Sequence, residues 1–344
     1  MKIVATVSDS EIEAWLAGRP DATPFHRPAW MRAVGAAYGH RVHMLGAQDD
    51  KGEMIGFLPL HDIRSRLFGR ALVSAGFGVS GGILADDAAI AERLAEAAVA
   101  LARSSGIPTV ELKGGMLPRS REWHEKSDSY AGFLRPLAKD DEAELLAIPR
   151  KQRAEVRRSL GFDLAVSTGS GLAERRDHYR VYSESVRNLG TPVFSRRLFA
   201  AVLDAFGNDA DILTVRHEGQ PVASVLSLYH KGVVMPFWGG GTQAARGLRA
   251  NDLMYYALMG HARQRGCTHF DFGRSKFGTG AFAFKKNWGF EPQALAYAVW
   301  TADGAAPRTV NPLDPKYRMQ IAVWQRLPLS IANLVGPFVA RGLG

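Results

Sequence analysis

Between Asp271 and Lys286 the sequence sets cations beside flexible backbone. Asp271-Phe272-Gly273 reads as the end of a short strand. Arg274 and Lys276 follow, then a loop carrying Gly278 and Gly280, then Lys285 and Lys286. Arginine and lysine form charge-assisted bonds with anions, and glycine lets a ligand come close to main-chain amides. The combination suits a phosphate-bearing ligand. It also describes a solvated basic loop joining two strands.

Two other groups deserve the same reading. A basic helix beginning near Ala147 places Arg150, Arg153 and Arg157 on one face, with Lys151 and Arg158 flanking it. That face either binds an anionic partner or is simply solvated. Further on, Arg187-Asn188-Leu189-Gly190-Thr191-Pro192 ends a helix and enters a turn. Asn188 and Thr191 there offer polar contacts to a ligand, or the segment is an ordinary helix stop.

Several chemistries find no support. Gly76-Phe77-Gly78-Val79-Ser80-Gly81 fits the spacing of a dinucleotide-binding loop, but Ile83-Leu84-Ala85 intervenes before the next helix and no acidic residue follows at the required distance. There is no P-loop pattern. The ten histidines are dispersed without an H-E-x-x-H pair, and no G-x-S-x-G elbow is present. Neither a metal site nor a serine-hydrolase triad is expected.

Hydrophobic residues make up 46% of the chain and charged residues 22%, the balance of a globular protein and not of a disordered one. The single cysteine, Cys267, excludes an intrachain disulfide and a thiolate metal cluster. The apolar run at Met1–Val7 is short and soon followed by Glu11 and Glu13, unlike a signal peptide. No window holds the ~18 uninterrupted apolar residues of a spanning helix. A cytoplasmic location is therefore expected. The net charge of +9 favours anionic partners such as nucleotides, RNA or a negatively charged membrane face.

The elements that must position these residues occur twice. An offset of 160 residues relates Ala102-Arg103-Ser104-Ser105-Gly106 and Glu111 to Ala262-Arg263-Gln264-Arg265-Gly266 and Asp271. The first match follows a helix expected from Asp87 to Ser105, capped by Asp86 or Asp87 and stopped by Gly106. The second follows a helix expected from Asp252 to Arg265, capped by Asn251 and stopped by Gly266. Upstream, strands at Val42–Ala47 and Ile212–His217 each lead through a glycine turn, Gly52 or Gly219, into a second strand. Each copy then meets a glycine-rich stretch, Gly76–Gly82 or Gly239–Gly241, before its helix. The order of hairpin, strand, glycine-rich loop, helix and strand is that of an N-acyltransferase core. An α/β fold of two tandem acyltransferase-like (GNAT-like) domains is expected, at 1–142 and 143–310, with a C-terminal apolar helical segment at 311–344. That last segment packs as a helix pair or contacts a membrane interface beside Arg318, Arg326 and Arg341.

The chain resembles the FemAB-related proteins, in particular the group associated with exosortase systems and exopolysaccharide loci. The residues that carry the likeness are Pro149-Arg150-Lys151-Gln152-Arg153, the run from Tyr182 to Phe194, Trp238-Gly239-Gly240-Gly241-Thr242, Asp271-Phe272-Gly273-Arg274-Ser275-Lys276 and Phe284-Lys285-Lys286-Asn287-Trp288-Gly289-Phe290. The resemblance implies two GNAT-like domains and transfer of an aminoacyl or acyl group onto an amine of a cell-envelope or polysaccharide precursor, with the acceptor held between the domains. In Fem enzymes a lysine of the Phe-Lys-x-x-aromatic-Gly motif lies at the transfer site, which points to Lys285 as catalytic.

Asp271 can orient the acceptor amine or take its proton, although Glu111 at the matching repeat position allows a purely structural strand-end role. The expected substrate-binding residues are Arg274, Lys276, Lys286, Arg150, Arg153, Arg157, Asn188, Thr191, Asn251 and Trp238. Trp238 either lines an acyl channel or fills the core. No bound cofactor is expected. Ordinary GNAT domains cradle a pyrophosphate on a glycine-bearing loop before the helix, but Gln243–Asn251 here has Arg246 at the first glycine position and a lone Gly247. That departure favours aminoacyl-tRNA as donor over acyl-CoA. The rivals are an acyl-CoA- or acyl-carrier-dependent transferase, and a non-catalytic protein that binds RNA or an anionic inner-membrane face.

Overall fold

Apolar runs broken by glycine turns make the two hairpins on which the fold is built. The computed structural model describes residues 1–65, 68–305 and 318–344. Its helices are α1 (Asp9–Ala17), α2 (Pro28–Tyr38), α3 (Ala88–Ser104), α4 (Asp141–Ala147), α5 (Arg150–Leu160), α6 (Leu172–Asn188), α7 (Arg196–Phe206), α8 (Ala245–Leu248), α9 (Ala250–Gln264), α10 (Gly280–Asn287), α11 (Arg318–Arg326) and α12 (Leu329–Ala340). Contacts divide the chain into two units. One holds Met1–Ser129, the stretch from Leu295 and the terminus from Phe338; the other holds Tyr130–Ala294 and the C-terminal helices up to Pro337.

The first unit is built on one mixed sheet. It contains β1 (Lys2–Val4), β2 (Arg41–Gln48), β3 (Met54–Ser65), β4 (Gly69–Ser74), β5 (Leu84–Ala85), β6 (Thr109–Lys113) and β7 (Trp123–Lys126). β2 and β3 pair antiparallel from Arg41 opposite Asp62 to Gln48 opposite Met54, and β6 joins β4 in parallel after the α3 crossover. Asp87 caps α3, its carboxylate accepting from the Ile90 amide at 2.8 Å. Gly106, with φ +61°, ends it in the left-handed region. Leu94, Ala98 and Ala102 of α3 are buried against Leu58, Leu72, Val110 and Leu112 of the sheet. The glycine-rich stretch serves packing here: a Cβ on Gly82 would lie 1.8 Å from the Gly114 carbonyl oxygen.

The second unit repeats the plan. β8 (Tyr130–Gly132) and β9 (Leu134–Pro136) precede β10 (Leu164–Gly169), β11 (Ala210–His217), β12 (Gln220–His230), β13 (Val233–Gly241) and β14 (His269–Asp271). β11, β12 and β13 form an antiparallel meander, and β14 returns parallel to β13 after α9. β15 (Ser275–Lys276) and β16 (Gln293–Ala294) flank β8 in a small separate sheet. Gly240 is required by close approach, since a Cβ there would meet Ser185 Oγ of α6 at 2.2 Å.

The two compact units meet along the chain at Ser129/Tyr130 and Ala294/Leu295, and the strands near those joins belong to sheets that their place in the sequence does not suggest. β9 lies before the second hairpin yet closes the second sheet beside β14, with Phe270 opposite Arg135. β17 (Tyr297–Thr301) follows the second unit in the chain but belongs to the first, pairing with β6 and β7 of its sheet. Two local expectations also change. Glu111 lies inside β6, whereas Asp271 is the last residue of β14, so the two carboxylates are not equivalent. Helix α9 starts at Ala250 behind Arg249, whose φ is +52° and whose side chain makes no cap bond; Asn251 is inside the first turn and does not cap it. The C-terminal segment is a helix pair where described; residues 311–317 and the Arg318 side chain lie outside the described residues.

Candidate active site

The site begins at the end of β14, where the chain must turn sharply. Asp271 accepts a hydrogen bond from the Gly273 amide at 2.8 Å, and Gly273 takes φ +67° to make the turn. β15 then pairs with β8, Ser275 opposite Ala131. Thr279 caps α10 by accepting from the Phe282 amide at 3.3 Å and donates from Oγ1 to the Lys276 carbonyl at 2.8 Å. These bonds fix a short helix whose second turn swings Lys285 back over the start of the loop.

Lys285 donates to the carbonyl oxygens of Gly273 at 3.2 Å and Arg274 at 2.9 Å. Its ammonium also stands over the rings of Phe133, 5.4 Å from the centroid, and Phe272, at 5.7 Å. Burial pushes its pKa down to about 8, helped by the nearby Arg274 charge and opposed by Asp271. Burial moves Asp271 the other way, upward, while the Gly273 amide and the Lys285 charge oppose the shift. The pair is thus a half-buried cation and a half-buried carboxylate, each with its charged form disfavoured by burial. Such perturbation is common where groups act on a substrate.

The other expected residues fall into three places. Arg274 and Lys276 lie with Lys285: the Arg274 guanidinium covers the Tyr130 ring at 4.6 Å, and Lys276 is half-buried in β15. Lys286 is the exposed neighbour. On α5, Gln152, Val156 and Ser159 form the buried face, so Arg150 and Arg157 point to solvent. Arg153 is half-buried, and its Nε has no hydrogen-bond partner among the described residues.

Asn188 and Thr191 are elsewhere. The Asn188 carbonyl accepts from Gln325 of α11 at 3.2 Å, and a Cβ on Gly190 would meet Ile321 at 2.4 Å. The turn is covered by the C-terminal helix, with Thr191 left exposed. Trp238 is 4% exposed and packs edge-on to Phe199 at 4.8 Å between ring centroids, a core position. Asn251 sits against Gly241, and its Oδ1 is buried with no partner among the described residues.

Sequence reasoning missed a second polar pair and the floor of the site. Gln152 Nε2 donates to Asp252 Oδ1 at 2.5 Å, linking α5 to α9. Burial raises Asp252 to about 6, with Glu155 adding to the shift while Gln152 and Arg249 oppose it. One turn on, Tyr255 is pushed up to about 12 by burial, and its ring meets Phe272 at 4.7 Å and Phe284 at 5.8 Å. Phe133 and Tyr130 form the floor from far upstream in the chain. The Gln152 signal was legible in Pro149-Arg150-Lys151-Gln152; nothing local marks the two aromatics.

The loop that would hold a pyrophosphate does not fit one. Its first amide, Gln243 N, already donates to the Glu184 carboxylate at 2.9 Å. Ala245–Leu248 closes into a helical turn of its own, and Arg249 is paired with Glu155 at 2.7 Å. A carboxylate at this amide repels a phosphate.

Residues 148–286 match the family model described as the acetyltransferase (GNAT) domain. That stretch runs from the start of α5 through Lys286 and so contains both polar pairs. No curated protein sequence matches the chain. Among solved structures the chain is similar to FemX, with TM-score 0.68 and 15% identity over 93% of this chain and 99% of that one. It is also similar to the C-terminal domain of a protein named as a lysylphosphatidylglycerol synthetase from Agrobacterium fabrum, with TM-score 0.56 and 15% identity over 85% and 92% of the two chains. A tandem GNAT protein from the clavulanic acid biosynthesis pathway matches with TM-score 0.54 and 14% identity over 89% and 99%. The fold is therefore a tandem GNAT fold with C-terminal helices, and the second copy carries the acetyltransferase-type domain.

Proposed function

We propose that the protein is an N-acyltransferase that moves an aminoacyl or other acyl group onto an amine of a cell-envelope or exopolysaccharide precursor. Lys285 carries the reading: an ammonium tied to two main-chain carbonyls beside Asp271, inside the stretch that matches the acetyltransferase domain. When the amine nitrogen attacks the acyl carbon, a C–N bond forms and negative charge grows on the acyl oxygen. The donor's C–O or C–S bond then breaks and releases its oxygen or sulfur. A cation already fixed in place stabilises that charge without reorganisation. The proton lost by the amine passes to Asp271 or, through the substrate itself, to the leaving group. Arg274, Lys276, Lys286 and the arginine face of α5 hold phosphate-bearing ends of the substrates.

An envelope acceptor agrees with the resemblance to FemAB-related proteins and with a neighbour named for synthesis of an aminoacylated lipid. The same reading places the protein at the inner-membrane face, in exosortase-associated polysaccharide assembly. The occupied Gln243 loop supports aminoacyl-tRNA as donor. A second reading, acyl-CoA as donor, is favoured by the acetyltransferase description of the matched domain.

Calorimetric titration with acetyl-CoA and free coenzyme A, on the wild type and Lys285→Ala, decides between the donors. No saturable binding is expected, and transfer from aminoacyl-tRNA should then be detectable and lost in Lys285→Ala. Saturable binding that Lys285→Ala abolishes would establish the coenzyme A donor. Steeply salt-dependent RNA binding without turnover would replace catalysis by a binding role.

A further inference from the structure

Helix α12 inverts the usual sidedness of a surface helix. Its small residues face the protein: Ala332 is 2% exposed, Ala340 is fully buried, and Gly336 between them sits so close that a Cβ would come within 2.9 Å of Val193 Cγ1. Its large apolar residues face outward, with Ile331 45%, Leu334 70%, Val335 40% and Phe338 79% exposed. These four follow helical spacing, so they form one stripe. The helix carries no charged residue. α11 adds Met319 at 77% and Val323 at 57% exposure, one turn apart, and ends at the exposed Arg326. A helix facing water normally places charge outside and its apolar stripe inside.

We infer that the outward stripe of α11 and α12 seats the protein on the surface of an anionic phospholipid bilayer. This supplies the surface for the membrane contact in the acyltransferase reading and rests on that reading for its biological sense. Lipid is the occupant for three reasons. The exposed side chains are large and form a continuous stripe on α12, as an interfacial helix requires, and the chain's net charge of +9, with Arg326 exposed at the end of α11, complements anionic headgroups. No helix among the described residues is long and apolar enough to cross a membrane, so α12 lies in the interface. A second copy is disfavoured by size, because a stable dimer uses about 20–30 residues on each side and this stripe offers a handful.

The test is co-sedimentation of the full chain with vesicles of phosphatidylcholine alone or mixed with phosphatidylglycerol, at low and high salt. The wild type should bind the mixed vesicles, more weakly at high salt. The double variant Leu334→Glu/Phe338→Glu should bind at least about tenfold more weakly while unfolding at the same temperature, since both side chains are exposed. Lys285→Ala should bind vesicles like the wild type, which separates this inference from the catalytic one. Equal binding by the double variant, or no wild-type binding, would overturn the inference. So would wild-type self-association that the double variant abolishes, which would assign the face to a second copy.

Discussion

Replacing Lys285 with methionine should abolish transfer while leaving the second unit about as stable at pH 7. Methionine keeps the length and apolar stem of the side chain but removes the half-buried charge. The lysine is held at about 8 instead of its ordinary 10.5. At about 1.4 kcal/mol per unit, that is a cost of about 3 kcal/mol at neutral pH. Two hydrogen bonds to the Gly273 and Arg274 carbonyls are lost in return, at about 1 kcal/mol each. The net change is small. The pH dependence is the sharper signature. Because the folded value lies below the unfolded one, the unfolded chain holds more protons between about pH 8 and 10.5, so stability rises with pH through that window. Urea unfolding at roughly pH 7 and pH 10 should show the wild type gaining about 2–3 kcal/mol more than Lys285→Met, other groups cancelling in the double difference. Identical pH dependence of the two proteins would refute the half-buried-ammonium argument, whatever the activity.

Wild-type transfer should decline as pH rises through about 8, where the ammonium is lost; a rise there would make Lys285 a base instead. Asp271→Asn should lower the transfer rate less than Lys285→Ala does, and an equal loss in steady-state kinetics would promote Asp271 to the general base. Asp252 has its folded value raised from 3.8 to about 6, so wild-type stability should fall as pH climbs through that window. Asp252→Asn, whose amide oxygen still accepts from Gln152, should be flat there in chemical denaturation; a persistent fall would clear Asp252. Gly82→Ala should destabilise the first unit by more than about 3 kcal/mol, because its Cβ meets backbone at 1.8 Å. Gly247→Ala, with nothing within 4 Å, should instead be neutral or stabilising by about 0.5–1 kcal/mol on thermal melting.

Much of this was written locally. The glycine turns at Gly52 and Gly219 and the cap at Asp87 depend on neighbours a few residues apart, and the fold uses each of them. The cationic loop from Asp271 to Lys286 was legible for the same reason: one tight turn and one short helix bring its members together. What the sequence left open depends on partners far away. Strand pairing is made by main-chain groups that every residue carries, so nothing in Tyr297–Thr301 names β6 as its neighbour, and nothing in Leu134–Pro136 names β14. The same holds for the turn at Asn188–Thr191, polar and open by its own composition but covered by α11. Phe133 beneath Lys285 and Gln152 on Asp252 meet their partners across more than 95 residues of chain. The sequence by itself determined which residues could turn, cap and carry charge. Only the tertiary structure decided how far each of them is buried, and burial is what moves Lys285 to about 8 and makes it a candidate for chemistry.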